Sequence, residues 1–365
     1  MEIVLIRLNR AQSGGAERYL ERLEKELKQK GIKTVRLHSF LSKKLPGWIR
    51  LFHFYWTVCK KGKVQRSGCY FSLERLPCAK IYRAGDGVHR IFLRQVSKPF
   101  WFLNPLHYLH LYLERLTFQR VDHIIANSEM VKREIVAEYQ IPTSKISVVY
   151  NGIPIPPNSP TPSSLQSSHS LRHQLGIPPN VPIILLVGSG FKRKGVGPAL
   201  KLLSQLPGNW RFIVVGKEKR LSSYQKLAKK LGLGEKVHFT GPRSDVERFY
   251  QLADILLLPT HYDPFANVIL EGMVYQVVPI TTRQNGASEL LPSRWIMEKP
   301  TDNSILPYLK QLLSNRELLI KEKKLAYQIG SNYSIGQNVA KTLQIISKIC
   351  RSETEKGNTG KNCTL

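Results

Sequence analysis

Residues 183–206 read IILLVGSGFKRKGVGPALKLLSQL, and the order of residue types in this stretch decides the class of fold. Ile183–Val187 is an unbroken apolar run, which suits a strand covered on both faces rather than one with a wet side. Gly188, Gly190 and Gly195 punctuate a basic turn, and Pro198–Leu206 resumes with apolar residues at helical spacing. Strand, glycine turn and helix form the repeating unit of a parallel α/β sheet. The unit recurs downstream. Strands are expected at Arg211–Val215, Lys236–Thr240, Asp254–Leu258 and Val277–Thr281, with helices at Tyr224–Leu231, Asp245–Leu252 and Asn267–Tyr275. Such alternation implies a doubly wound sheet whose ligands bind at the carboxyl ends of the strands.

The first half carries a second copy of the pattern. Ile3–Leu8 reads as a buried strand, Ser13-Gly14-Gly15 as a turn, and Ala16, Tyr19, Leu20, Leu23 and Leu27 as one face of a helix. Thr34–Leu37 is the next strand. Further on come a strand at Asp122–Asn127, a helix at Ser128–Tyr139 and a strand at Lys145–Val149. Between Ile153 and Pro179 the composition turns to Pro and Ser, including Ser163, Ser164, Ser167 and Ser168, as a linker would. The expected division is a first domain over 1–160, a linker over 161–180, a second domain over 181–335, and a C-terminal helix with a frayed tail over 336–365. Two such domains face to face would leave a cleft between them.

Composition bounds the partners. The chain has 365 residues, 42% of them hydrophobic, so it can bury two cores, yet its formal charge is +29. The excess is concentrated. Residues 28–100 hold seventeen Lys and Arg against Glu74 and Asp86 alone, whereas residues 1–27 and 101–150 are each neutral. Residues 192–236 hold twelve cations against two acids. A folded body with basic blocks calls for a polyanion: nucleic acid, acidic lipid or phosphorylated small molecules. Cys59, Cys69, Cys78, Cys350 and Cys363 fit neither a zinc spacing nor a small disulfide framework, and are read as reduced thiols of a cytosolic protein. No signal peptide or membrane-spanning run is expected.

Three motifs carry chemistry. Ser13-Gly14-Gly15 opens a helix where backbone and helix terminus favour an anion, although a tight turn without a ligand reads the same way. Gly188–Gly195 aims Lys192, Arg193 and Lys194 from a sheet edge, where cations can stabilise a departing diphosphate. Asp263-Pro-Phe-Ala-Asn267-Val-Ile-Leu-Glu271 places two carboxylates around the start of a helix, with the amides of Ala266, Asn267 and Val268 turned to an anion. Glu271 by itself reads equally as an ion-paired helix carboxylate.

In order, SGGAERYL, ANSEMVKREI with ISVVYNGI, GSGFKRKG and YDPFANVILEGM resemble the motifs of glycosyltransferase family 4, and the set spans residues 13–275. Within the family, YRAGDGVHR, GSGFKRKG and GPRSDV are most similar to the lipopolysaccharide-core glucosyltransferases that act on heptose. The resemblance implies the GT-B architecture, two Rossmann-like α/β domains facing across a cleft. It implies that Arg193 and Lys194 hold the donor diphosphate, that Gly14 and Gly15 approach it from the other domain, and that Glu271 takes the ribose hydroxyls. Asp263 would bind the donor sugar, with Ala266, Asn267 and Val268 around sugar and phosphate, and Arg243 near the base or ribose. Asp86 falls at the acceptor-side acidic position. Asp263 stands where Glu is usual, one methylene shorter.

No D-x-D triplet occurs, so transfer is expected to use Arg193 and Lys194 and no metal. The donor expected is a sugar nucleotide such as UDP-glucose. Retention of anomeric configuration follows from the family. Lys43-Lys44 and Lys60-Lys61-Gly-Lys63 flank Trp48, Phe52, Phe54, Tyr55 and Trp56, and Phe100, Trp101, Phe102, Tyr108, Tyr112 and Phe118 follow. About half should pack inward; the rest suit an anionic membrane surface at the cytoplasmic face. The acceptor implied is a phosphorylated lipid-linked saccharide. A nucleic-acid-binding protein would explain the charge but lacks any recognised motif. A sugar-nucleotide epimerase or hydrolase would share the donor site without needing the basic, aromatic surface.

Overall fold

The structure is a computed structural model that describes residues 2–9, 15–42, 44–60, 69–96, 100–156 and 170–358. It packs as two units, Met1–Gly152 with Ile335–Leu365, and Ile153–Ser334. Residues 161–169 of the expected linker, Gly14, Lys43, Lys61, Lys63 and Cys363 lie outside the described residues.

In the first unit the strands are β1 (Glu2–Ile6), β2 (Lys33–Leu37), β3 (Cys69–Ser72), β4 (Ile81–Ala84), β5 (His123–Ala126) and β6 (Ile146–Val148). They form one parallel sheet in the order β2-β1-β3-β4-β5-β6. The helices are α1 (Gly15–Gln29), α2 (Gly47–Tyr55), α3 (His89–Val96), α4 (Pro105–Arg120) and α5 (Glu129–Tyr139). Alternation along the strands feeds two cores. Ile81 and Ile125 join Tyr19, Leu20, Leu23 and Leu27 of α1, while Tyr82, Ala84, Ile124 and Ala126 join Phe118 of α4 and Val131 and Ile135 of α5. Ser128 caps α5, its hydroxyl accepting from the Val131 N–H at 3.2 Å.

The second unit holds β7 (Ile183–Val187), β8 (Arg211–Val215), β9 (Val237–Gly241), β10 (Ile255–Leu258), β11 (Val278–Thr282) and β12 (Ile296–Met297), in the parallel order β12-β11-β10-β7-β8-β9. Its helices are α6 (Phe191–Lys194), α7 (Val196–Leu203), α8 (Leu221–Lys230), α9 (Val246–Leu252), α10 (Asn267–Val274), α11 (Leu306–Ser314) and α12 (Arg316–Gly330). Every residue of β7 and β10 is buried, as the unbroken apolar runs required. A last helix, α13 (Ile335–Asn358), belongs to the first unit and seats Val339 and Ile346 against α1. No helix of the described residues is long and apolar enough to cross a membrane.

Two expectations change. No strand is expected from the sequence between Thr34–Leu37 and Asp122–Asn127, yet β3 and β4 occupy the middle of the first sheet. The cysteines read as free thiols are paired, Cys59 with Cys78 and Cys69 with Cys350. The reason is spatial. α13 returns onto the first sheet and brings Cys350 within 5.7 Å (Cα to Cα) of Cys69 on β3 across 281 residues, which spacing along the chain cannot reveal. Protein purified without reductant and then denatured should expose one titratable thiol of its five cysteines; a titration of five would show both bonds absent. Cys350→Ser should lower stability by up to about 5 kcal/mol, since the closed loop is long, read as a fall in the denaturation midpoint.

Candidate active site

The sheet edge after β7 is shaped by two glycines that cannot be replaced cheaply. Gly195 has φ +76°, and a Cβ there would stand 1.8 Å from the Pro259 carbonyl oxygen. A Cβ on Gly188 would stand 2.8 Å from Cε of Lys194, so its absence makes room for the lysine stem. Between them α6 is a single turn. The Phe191 N–H at its start donates to Glu218 at 2.8 Å. The Arg193 carbonyl accepts from the His261 N–H and the Thr260 hydroxyl, both at 2.9 Å. The loops after β7, β8 and β10 are thereby tied together, because those three strands are neighbours in the sheet.

The charges meet at one atom. Oδ2 of Asp263 accepts from Nη1 of Arg193 at 2.6 Å and from Nζ of Lys194 at 2.7 Å. Asp263 is 7% exposed and Lys194 6%. Burial by itself raises the Asp263 carboxyl, but Lys194 and then Arg193 outweigh it and hold it below the usual aspartate value. Its backbone is fixed on both sides: its N–H donates to the Gln284 carbonyl and its carbonyl accepts from the Gly286 N–H, each at 2.9 Å. The sequence motifs place these three side chains at one edge; their direct pairing appears only in the fold.

The remaining donor-side residues divide. Asn267 and Val268 open α10 as expected. The Ala266 N–H, expected to face an anion, instead donates to Oδ1 of Asn285 at 3.0 Å, and that assignment is corrected. Asn285 is fully buried, also accepts the Ala287 N–H, and donates to the Thr281 hydroxyl at 3.1 Å. Glu271 is half-buried, accepts from the Tyr250 hydroxyl at 3.1 Å, and acts electrostatically on Lys194. Arg243, after β9, is held bidentately by Asp245 at 2.9 and 2.8 Å.

In the first unit Gly15 is the first residue of α1. Asp86 stands in the turn after β4, exposed, with Oδ2 at 3.2 Å from Nη1 of Arg7. Arg7 is shared with Glu17 at 3.1 Å and Glu74 at 3.2 Å. Crowding by neighbouring groups strips some water from Asp86 and favours its neutral form, but Arg7 and then Arg75 outweigh this and keep the carboxyl below its usual range. It is therefore ionised and a weak base. The turn is held from behind by residues the sequence analysis missed. Arg75 donates to the Gly87 carbonyl at 3.0 Å and to the fully buried Glu114 at 2.9 Å. Glu114 also accepts the His89 N–H at 2.6 Å and the Tyr139 hydroxyl at 2.6 Å, capping α3. Its signal was a lone carboxylate in an aromatic helix. His89 and His110 pack ring to ring, and burial, aided by Arg75, pushes them down to about 2 and about 3, so both are neutral.

Of the eleven aromatics singled out between Trp48 and Phe118, only Phe54, Tyr55 and Phe118 are buried, whereas Trp48, Phe52, Trp56, Phe100, Phe102, Tyr108 and Tyr112 are exposed. Fewer pack inward than expected.

Asp263→Asn should destabilise the protein by about 3–5 kcal/mol, because it leaves Lys194 buried without its carboxylate. The folded pKa of Asp263 lies below the unfolded value of about 3.9, so the pair's contribution is complete above that pH. It is lost as pH falls through the folded value. The melting-temperature gap between wild type and variant should therefore be full at pH 7 and narrow below about pH 4.

Comparison with known proteins agrees with this geometry. Residues 68–155 match the family model for Glycosyltransferase Family 4, and residues 167–329 that for Glycosyl transferases group 1. The chain is 28% identical over 216 residues to lipopolysaccharide glucosyltransferase WaaG of Escherichia coli strain K12, a match covering 57% of each chain. The chain matches less than two thirds of the length of its first curated relatives. The crystal structure of WaaG superposes with a TM-score of 0.78 at 21% identity, over 94% of this chain and 99% of that one. That of Anabaena Alr3699/HepE in complex with UDP-glucose does so with a TM-score of 0.71 at 18% identity, over 94% and 99%. The two family models fall one on each half and together take in more than half of the chain, which belongs to the glycosyltransferases of the GT-B fold.

Proposed function

We propose that the protein transfers a hexose, glucose from UDP-glucose, to a phosphorylated lipid-linked saccharide such as the heptose of the lipopolysaccharide inner core. The observation that carries this reading is the Arg193–Asp263–Lys194 group at the carboxyl edge of the second sheet. Breaking the anomeric carbon–oxygen bond leaves negative charge on the diphosphate, and two preorganised cations meet that charge without a metal. The UDP-glucose of the Anabaena structure and the lipopolysaccharide of WaaG's name support the choice of donor and acceptor.

Retention is assigned to a front-face path. The acceptor oxygen bonds to the anomeric carbon on the face from which the diphosphate departs, and the acceptor proton passes to the departing phosphate oxygen. Asp86, ionised and paired with Arg7, is suited to orienting the acceptor hydroxyl rather than to removing its proton.

The reading also places the enzyme on the cytoplasmic face of an anionic membrane. Trp48, Phe52 and Trp56 form one exposed stripe, with exposed Lys44 and Lys60 near its ends, and Phe100, Phe102, Tyr108 and Tyr112 add to the apolar surface. The two sulfur pairs are the feature a reducing compartment would not produce.

Incubated with UDP-glucose and heptose-terminated lipopolysaccharide, the protein should release UDP only when acceptor is present. Acceptor-independent free glucose or an epimerised donor would instead make it a hydrolase or epimerase. Arg193→Ala should lower turnover by about 10²–10³-fold; undiminished turnover would remove Arg193 from leaving-group stabilisation. Co-sedimentation with anionic vesicles should fall steeply between about 0.05 and 0.5 M salt, while donor binding falls less, because exposed charges are screened more. Equal losses would argue against the membrane assignment.

A further inference from the structure

Arg83 on β4 is a buried cation with no acidic partner among the described residues. Ile81 belongs to the α1 core and Tyr82 and Ala84 to the opposite one, so alternation turns Arg83 toward α1. There its guanidinium lies 4.1 Å above the Tyr19 ring and donates through Nη2 to Oδ1 of Asn151 at 2.7 Å and to the Val149 carbonyl at 3.5 Å. It is 2% exposed. Burial holds it below the usual arginine range, and Tyr19 is the group opposing that shift. Nη1 makes no hydrogen bond.

Two more buried polar atoms on this face lack partners among the described residues. One is the Tyr19 hydroxyl and the other Oδ1 of Asn127. Asn127 follows β5, where Ile125 shares the core of Ile81, so alternation brings Asn127 to the side of Arg83. Its Nδ2 is already committed to the Gly85 carbonyl at 3.0 Å. An uncompensated buried charge is strongly destabilising, and each unsatisfied buried polar atom adds to that cost. Half-buried Asn151 links the group to the surface at the carboxyl ends of the strands, where α/β sheets bind ligands.

We propose that Arg83, Tyr19 and Asn127 form a subsite for a sugar phosphate. Nη1 of Arg83 and the Tyr19 hydroxyl donate to phosphate oxygens, and Oδ1 of Asn127 accepts a hydroxyl of the same ligand. The inference rests on the acceptor reading above, in that Asp86, three residues beyond Arg83, then faces the phosphorylated saccharide that receives the sugar. A nucleoside diphosphate offers the same phosphate chemistry, and the test separates the two.

Thermal unfolding of the full chain is followed with glucose 6-phosphate, with UDP, or with glucose plus sodium chloride at matched ionic strength. Glucose 6-phosphate should raise the melting temperature of wild type where glucose with salt does not. The shift should vanish in Arg83→Met and shrink in Tyr19→Phe. Without ligand both variants should melt at or above the wild-type temperature, since they remove an unmatched charge or an orphan hydroxyl. Should Arg83→Met not fold, Tyr19→Phe carries the comparison. A UDP shift that Arg83→Met abolishes, with none from glucose 6-phosphate, would overturn the acceptor assignment in favour of the donor diphosphate. No shift with glucose 6-phosphate, a glucose 6-phosphate shift that is equal in the variants, or ligand-free destabilisation of both would overturn the subsite. None of these readings requires glycosyl transfer, so its failure is a separate result.

Discussion

Arg193 and Lys194 are adjacent cations on a single helical turn, and the Asp263 carboxylate they share holds them together there. Like charges so close repel, and Lys194 is buried as well, so without a shared anion the turn would open or Lys194 would shed its proton. The surrounding structure serves that contact. Gly195 lets the turn fold back on Pro259, Gly188 clears the lysine stem, and the strand-end loops hold Asp263 by its backbone. A diphosphate oxygen presents to Arg193 the same chemistry as the carboxylate does. Under the proposed donor role, the cations are already held in place before the diphosphate arrives, which is the condition under which cations stabilise a leaving group most. The shorter Asp in place of Glu reaches both cations.

The first unit inverts the arrangement. There one cation, Arg7, gathers three carboxylates, Glu17, Glu74 and Asp86, and the exposed one is the residue assigned to the acceptor. Sharing Arg7 keeps Asp86 ionised while leaving part of its carboxylate to solvent. Arg75 and Glu114 hold the turn from behind, so the orientation of Asp86 derives from a fully buried pair 39 residues apart in the chain. Arg83 breaks the pattern, a buried guanidinium given ring and carbonyl contacts but no acid.

What could be read from the sequence follows from burial on both faces. β7 and β10 are apolar throughout, as is β8 after Arg211, and they announce themselves, while the glycines beside them mark the turn that carries the cations. β3 and β4 do not. Each has four residues, and they include buried Ser72 and Arg83, whose polarity masks a central strand. Arg193, Lys194 and Asp263 were legible because each stands in a local motif. Arg7, Glu114 and Asn285 were not, because each acts on a segment distant in sequence and carries no local signature. The cysteines failed for the same reason.

The charge shows how far a segment-by-segment count can mislead. The only acids in residues 28–100, Glu74 and Asp86, are both engaged by Arg7 from outside the block. The block's own cations turn to acids of the segments counted as neutral: Lys28 and Arg36 to Glu24, Lys33 to Glu2, Arg75 to Glu114, Arg90 and Arg94 to Glu138. Pairing moves the excess without reducing it, because every acid spent on the block leaves a cation unmatched elsewhere. The charge of +29 is thus better described as a field over the folded surface than as a list of basic residues. On the proposed function, a field of this kind would draw in the polyanionic acceptor from a distance and would yield to salt. Buried Lys194 and half-buried Arg193, paired with Asp263, act at contact, where screening by salt is slight.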